Sequence, residues 1–317
     1  MKNIILMTST GSYLPKKKMS NHDISKLVDT SDEWIQQRSG IAFRHFVEKD
    51  ELTSDMATNA AKKVIKNAKI NAQDIDLIVV ATTTPDLTFP ATAVKVQKNL
   101  NSNAIAFDIQ AVCAGFVYAL SVGVSMLKDG FGEKCLVIGA DSMSKILDWN
   151  DRTTSVLFGD GAGAVLLEAS SNYGIIDCEL GIDGSGADFL NMPAGGSLNR
   201  ATEHTIKNKM HFVKQNGAAV FKHAVKGMYD ITHKIMERNK ISNENLKLFI
   251  AHQANKRIID ATALKMKLSN EQVFINIDKY ANTTAASIPI ALCDAYENNL
   301  LNKGDNLIMT AFGAGFT

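Results

Sequence analysis

The chain lacks the features that most directly fix a protein's class. Its four cysteines, Cys113, Cys135, Cys178 and Cys293, stand far apart and form no C-x-x-C pair. That spacing argues against a zinc site and a disulfide framework, and it suits a reducing cytoplasm. An excess of charge of one sign is also missing, since 34 Lys and Arg against 33 Asp and Glu leave a formal net charge of +1. The balance favours neither nucleic acid nor an anionic membrane as a partner, so any electrostatic docking needs a local patch. No apolar run approaches the length of a membrane span. The N-terminal MKNIILMTSTG carries too short an apolar run for a signal-peptide core. A cytoplasmic globular protein is expected. At 317 residues and 45% hydrophobic, it has material for one large or two medium domains.

What is present is organised around AFDIQAVCAGFVYALSVGVSMLKDG, residues 106–130. Ala106 to Gln110 alternate like a short strand. Gly115 to Lys128 are apolar nearly all round, as in a helix buried in a sizeable core, and Gly130 is placed to stop it. Cys113 lies between the two. At a helix start it faces free backbone N–H groups and the positive end of the helix dipole, which favour thiolate over thiol. A lone cysteine in an apolar run is more often a small core residue, so this placement leaves both readings open.

Further strands are expected at Asn3 to Met7, Asp76 to Thr82 and Cys135 to Ala140, the last two as continuous apolar runs buried on both faces. Helices are expected over Ser54 to Ala68, capped by Thr53 or Ser54, and over Ala91 to Asn99. The basic run Lys16 to Lys18 reads as a solvated loop. Trp34 and Arg38 are four apart and would share a helix face. The glycines of VLFGDGAGAVLLEA, residues 156–169, have no helix signal after them, so a tight strand-connecting turn is expected rather than a nucleotide fingerprint.

The second half repeats the first. A helical pattern (Ala218 to Arg238) precedes the strand LKLFIAH, and a helix follows from about Asn255. FINIDKYANTTAASIPIAL then matches AFDIQAVCAGFVYAL as strand, turn and small-residue helix, and NLIMTAFGAG matches KCLVIGAD. Two copies of one βαβα unit imply a duplicated α/β fold of halves 1–170 and 171–317, joined near Ala169 to Tyr173. The match places Asn282 near the position of Cys113, and His252 at the carboxyl end of its strand, where ligands gather in such sheets.

Three motifs in order, D-x-x-x-x-C-A-G-F-x-Y-A-L (Asp108 to Leu120), H-Q-A-N-x-R (His252 to Arg257) and N-T-x-A-A-S-I-P (Asn282 to Pro289), resemble the β-ketoacyl-acyl-carrier-protein synthase III family. GSYLP, VDTSDEW, FGDGAGA and AFGAGFT extend the resemblance over essentially the whole chain. It implies a thiolase-like α/β fold, with two mixed sheets in a layered αβαβα arrangement. The activity implied is that of an acyltransferase: condensation of acetyl-CoA with malonyl-carrier protein to acetoacetyl-carrier protein, CO2 and CoA, initiating fatty acid synthesis. Family members usually continue past Gly-Phe-Thr with a strand beginning Trp-Gly. This sequence stops at Thr317, which reads as a clipped C-terminus rather than a different enzyme.

The resemblance also implies roles. Cys113 is the acyl-accepting nucleophile, with the backbone N–H groups of Cys113 and Ala314 as oxyanion donors. His252 and Asn282 are the neutral donors to the enolate formed on decarboxylation. Trp34 and Arg38, with Thr30 and Arg152 nearby, match a clamp on the CoA adenine, and Asn255 matches part of the pantetheine and active-site network. Phe89 matches an aromatic reaching into a partner subunit's acyl pocket, implying a homodimer. Lys222, Lys256, Arg257 and Lys265 match a docking patch for the acidic carrier protein. No metal or cofactor is implied, acetyl-CoA being a substrate. The alternatives are a related thiolase-fold or polyketide-type condensing enzyme with another starter, a papain-like hydrolase whose Asn orients the His, and a non-catalytic scaffold.

Overall fold

The computed structural model describes residues 4–170 and 172–317. Asn3, the expected start of the first strand, and Ser171, in the expected join between halves, lie outside the described residues. Among the described residues the principal sheet has five strands in the order Ile4–Tyr13, Gly161–Ser170, Lys134–Asp141, Leu77–Ala81, Ile105–Ile109. The last three are mutually parallel, and Gly161–Ser170 runs antiparallel to both its neighbours. Leu77–Ala81 is buried along its whole length, as a continuous apolar run requires.

Residue parity within the strands sorts the layers. Ile78, Val80, Leu136 and Ile138 face the helices Thr53–Ala68 and Thr92–Leu100, through Met56, Ala60, Val64 and Val96. Leu77, Val79 and Val137 face the other way, onto the helices Gly115–Lys128 and Ser287–Glu297. Those two helices in turn meet Leu248 and Ile250 of the second sheet. Beyond that sheet lie Gly217–Asn239 and Lys256–Met266, packed on Phe249, Ala251 and Ile308. The layers run helix, sheet, helix, sheet, helix, which is the thiolase-like arrangement.

Among the described residues the second sheet has two parallel strands, Leu246–Ala251 and Asn306–Thr310. The strand expected from Phe274 is reduced to one bridge between Val273 and Phe249. The physical reason is Gln253. Its buried side-chain amide donates to the Phe274 carbonyl at 3.2 Å and accepts from Asn276 N–H at 3.0 Å, replacing a strand neighbour's peptide group. Helix Thr53–Ala68 also starts differently from the expectation. Leu52 is its N-cap, and the Asp55 carboxylate accepts from Leu52 N–H at 3.0 Å. The Thr53 hydroxyl is used elsewhere, on the Thr84 carbonyl at 2.8 Å.

The glycines of FGDGAGA do not form a strand-connecting turn, because Gly161 and Gly163 lie inside the strand Gly161–Ser170. Gly163 pairs with Gly139, and Gly139 with Ala81, giving a row of small residues across three strands. A Cβ on Gly163 would stand 2.7 Å from Ile290 N and 2.8 Å from Pro289 Cβ. The row is the bare strip on which the start of the Ser287–Glu297 helix rests.

Candidate active site

Strand Ile105–Ile109 leads into a single 3-10 turn, Val112–Ala114, and directly into the Gly115–Lys128 helix. Val112 has φ +45°, an unusual conformation for a β-branched residue. The second half builds the same device: Thr284 has φ +48° in the turn Thr284–Ala286, ahead of the Ser287–Glu297 helix. Matching Val112 to Thr284 pairs Cys113 with Ala285, so Asn282 precedes the matching position rather than occupying it. The two helix starts meet, since a Cβ on Gly115 would lie 3.5 Å from Ala285 Cβ.

Cys113 is 5% exposed. Burial pushes its thiol up to about 12, the Asp141 charge adds to the rise, and its own backbone N–H pulls the other way. Burial therefore works against the stabilisation of a thiolate expected from the helix start. Ala314 lies in the turn Ala314–Phe316. A Cβ on the preceding Gly313 would be 3.0 Å from both Ala111 O and Ala114 N, so the Ala314 turn rests on the Cys113 turn.

His252 follows strand Leu246–Ala251, held by its N–H to the Thr310 carbonyl at 2.7 Å. Its Nδ1 lies 2.6 Å from Ser287 Oγ, while its buried Nε2 has no partner among the described residues. Burial lowers its pKa to about 3, so the ring is neutral. Asn282 is tied by its backbone to Leu157 O and Gly159 N, both at 3.0 Å. Its Oδ1 accepts from Thr284 N–H at 2.9 Å, which leaves the amide NH2 as the free end. Asn282 therefore does not orient His252, and the geometry of a papain-like hydrolase is absent.

Asp141 carried no role in the sequence reading, yet it joins the two halves. One carboxylate oxygen accepts from Thr83 N at 2.8 Å, Thr84 N at 3.1 Å, Thr84 Oγ1 at 2.9 Å and Thr82 Oγ1 at 3.1 Å. The other accepts from the Thr284 hydroxyl and from Ala285 N at 3.1 Å. Burial raises its pKa and these donors oppose the rise. Thr284, held through its hydroxyl, passes its own N–H to Asn282. The signal in the sequence was an acid directly after the apolar run Cys135 to Ala140. Arg44 was missed too: it is fully buried, donating to Asn21 Oδ1 at 2.6 Å and to Val156 O at 2.9 Å, beneath the loop that holds Asn282.

The expected CoA residues fall in one place on the surface. Trp34 and Arg38 share the helix Asp32–Ser39, with the Arg38 guanidinium 5.8 Å and that of Arg152 5.3 Å from the Trp34 ring. A cavity of about 410 Å³ beside them is lined by Leu27, Val28, Asp29, Trp149, Asn150, Asp151 and Arg152. Thr30 has a buried Oγ1 with no partner among the described residues. Asn255 caps helix Lys256–Met266 through Arg257 N at 2.9 Å and donates to the Arg38 carbonyl at 3.0 Å, so both ends of its amide are occupied. Phe89 is elsewhere, 82% exposed on the loop after Leu77–Ala81. Of the basic set, Lys256 is paired with Asp260 at 2.7 Å. Arg257 lies over the Phe221 ring, Lys265 lies over Tyr229, and Lys222 is exposed.

The models for 3-oxoacyl-[acyl-carrier-protein (ACP)] synthase III match residues 107–184 and, for the C-terminal part, 236–317. Both turns of the site fall within them. The β-ketoacyl-[acyl-carrier-protein] synthase III of Caldanaerobacter subterraneus subsp. tengcongensis is 48% identical over 97% of this chain and 94% of its own length. The chain belongs to the 3-oxoacyl-[acyl-carrier-protein] synthase III family. A second relative of that name, from Koribacter versatilis, is 47% identical over 98% of this chain and 95% of its own. Among solved structures, the 3-oxoacyl-[acyl-carrier-protein] synthase III of Aquifex aeolicus superposes with a TM-score of 0.90. It is 41% identical and covers 98% of this chain and 97% of its own. As a synthase III, the protein is an acyltransferase-type condensing enzyme of fatty acid biosynthesis. Among the described residues, no group of three His, Cys, Asp or Glu side chains is placed to hold a metal ion, and no helix is long and apolar enough to cross a membrane.

Proposed function

We propose that the protein condenses acetyl-CoA with malonyl-acyl-carrier protein, giving acetoacetyl-acyl-carrier protein, CO2 and CoA. The reading is carried by one observation: the Cys113 turn is packed on the Thr284–Ala286 turn beside two uncharged groups, His252 and Asn282, each with one side-chain end free. The half 1–170 supplies the nucleophile, and the half 171–317 supplies the His/Asn pair.

In the first half-reaction Cys113 sulfur attacks the acetyl thioester, and its proton leaves with CoA as the free thiol. With a thiol pushed up to about 12, the step relies on stabilising the tetrahedral oxyanion, the role given to the N–H groups of Cys113 and Ala314. In the second, the C–CO2⁻ bond of the malonyl group breaks and its electrons form an enolate on the thioester oxygen. Nε2–H of His252 and the Asn282 NH2 donate to that oxygen. An amide cannot titrate, and a ring held at a pKa of about 3 takes up no extra proton at neutral pH, so neither quenches the carbanion. The carbanion then attacks the acetyl carbonyl of acetyl-Cys113, and the bond from that carbon to Cys113 sulfur breaks to release acetoacetyl-carrier protein. The sulfur leaves as a thiolate that takes one proton from solvent to restore the thiol.

Trp34 and the Arg38 and Arg152 guanidinium groups form the adenine and phosphate end of the CoA site, with Thr30 beside them. Asn255 contributes by bracing the Arg38 carbonyl. Phe89, with so much apolar surface exposed, gates the acyl pocket across a homodimer. Lys222, Arg257 and Lys265 receive the carrier protein, and Lys256, partly neutralised by Asp260, steers it less. The enzyme works in the cytoplasm without a metal or cofactor. Intact-protein mass after mixing with acetyl-CoA tests the reading: one acetyl group is expected at Cys113, discharged on adding malonyl-carrier protein. An unmodified Cys113 would exclude it.

A further inference from the structure

We propose that Ser287 is a positioning residue that fixes His252 as the Nε2–H tautomer, so that the ring offers the substrate a donor and not a base. The inference rests on the function proposed above and assigns the proton on which that function depends. Three atoms carry it. Ser287 Oγ lies 2.6 Å from His252 Nδ1, and the backbone N–H of Gln253 donates to the same oxygen at 3.4 Å. The hydroxyl has one proton to give. Among the described residues, the hydrogen-bond partners of Ser287 Oγ are these two, and only Nδ1 can accept. Were Nδ1 protonated, two N–H groups would converge on Oγ and the hydroxyl proton would be stranded in a buried site. Leaving a buried donor unmet costs about 1–3 kcal/mol. With Ser287 donating to Nδ1, only the Nε2–H is left without a protein partner among the described residues, whereas the Nδ1–H tautomer would strand both the hydroxyl proton and the bare Nε2.

The seat of this hydroxyl is rigid. Ser287 opens the Ser287–Glu297 helix, whose next residues rest on the bare strip at Gly163. The ring is fixed by His252 N–H to Thr310 O at 2.7 Å. Burial keeps it neutral, so which tautomer is present decides what it can do.

The test uses the whole enzyme with 15N-labelled histidine, reading the His252 ring nitrogens by long-range proton–nitrogen correlation. The wild type is expected to show a protonated Nε2 and an unprotonated Nδ1. Ser287→Ala is expected to lose that fixed pattern. Its kcat for malonyl decarboxylation should fall about fivefold, the worth of one ordinary hydrogen bond, with KM and Cys113 acetylation unchanged. Ser287→Thr keeps the hydroxyl and should recover both spectrum and rate. A wild-type ring protonated at Nδ1, or Ser287→Ala with wild-type spectrum and rate, overturns the inference. If Ser287→Ala fails to fold, the wild-type spectrum and the Ser287→Thr rate decide. A wild type with the Nε2–H spectrum but no decarboxylation sinks the functional reading and not the tautomer.

Discussion

Gly139→Ala is the most informative small change this structure offers. Gly139 lies between Val137 and Asp141 on the strand face that meets the second half, and Ala81 and Gly163 flank it across the sheet. A Cβ there would run into the Ala285 carbonyl oxygen and come within 2.7 Å of the Ala285 carbonyl carbon. Ordinary carbon contacts are about 3.5–4.0 Å, so the Thr284–Ala286 turn has to retreat by roughly 1 Å. Overpacking of this kind costs about 1–3 kcal/mol of stability. The larger effect is on chemistry, because the same turn holds Asn282 Oδ1, and a displacement of about 1 Å can cost about 100-fold in rate. Urea unfolding gives the stability change. Labelled acetyl transfer to the protein and labelled CO2 release, measured separately, should show decarboxylation falling far more than acetylation. The clash is with backbone, so Ala285→Gly should not rescue it. Near-normal CO2 release, or rescue by Ala285→Gly, would refute the reasoning.

Asn282→Ala should still form acetyl-Cys113 but release CO2 about 100-fold to 1000-fold more slowly, the usual cost of one preorganised donor. Lost acetylation with normal CO2 release would reverse the assigned roles. With its thiol pushed up to about 12, Cys113 in the free enzyme should be alkylated by iodoacetamide about tenfold faster per pH unit between about pH 7 and 9. A plateau in that range would show that the helix start outweighs burial after all. The His252 ring, held down at a pKa of about 3, binds its proton only on unfolding between that value and about 6.5, so acid favours the unfolded chain. Relative to His252→Gln, the wild type should lose about 1.4 kcal/mol of stability per pH unit below about 6. Parallel pH–stability curves for the two proteins would contradict a buried neutral ring.

The sequence by itself determined which elements lie in the interior. Continuous apolar runs such as Leu77–Ala81 bury on both faces wherever they are placed, and a helix apolar all round, Gly115–Lys128, has to lie in the interior. It also placed Cys113 at a helix start, because strand, turn and helix there follow one another within a few residues. Only the tertiary structure decided the chemistry. The thiol's raised pKa comes from burial, which depends on what packs over it. The neutral state of His252 has the same origin, and its partner Ser287 lies 35 residues along the chain. Gly139, Gly163 and Ala81 look unrelated in sequence and become one strip only through strand register. Asp141 meets Thr284 across 143 residues, and the strained turn it holds aims Asn282. Local periodicity records which face of an element is apolar. It carries no record of which distant backbone will approach that face, and that approach sets both the desolvation and the hydrogen-bond partners of the reacting groups.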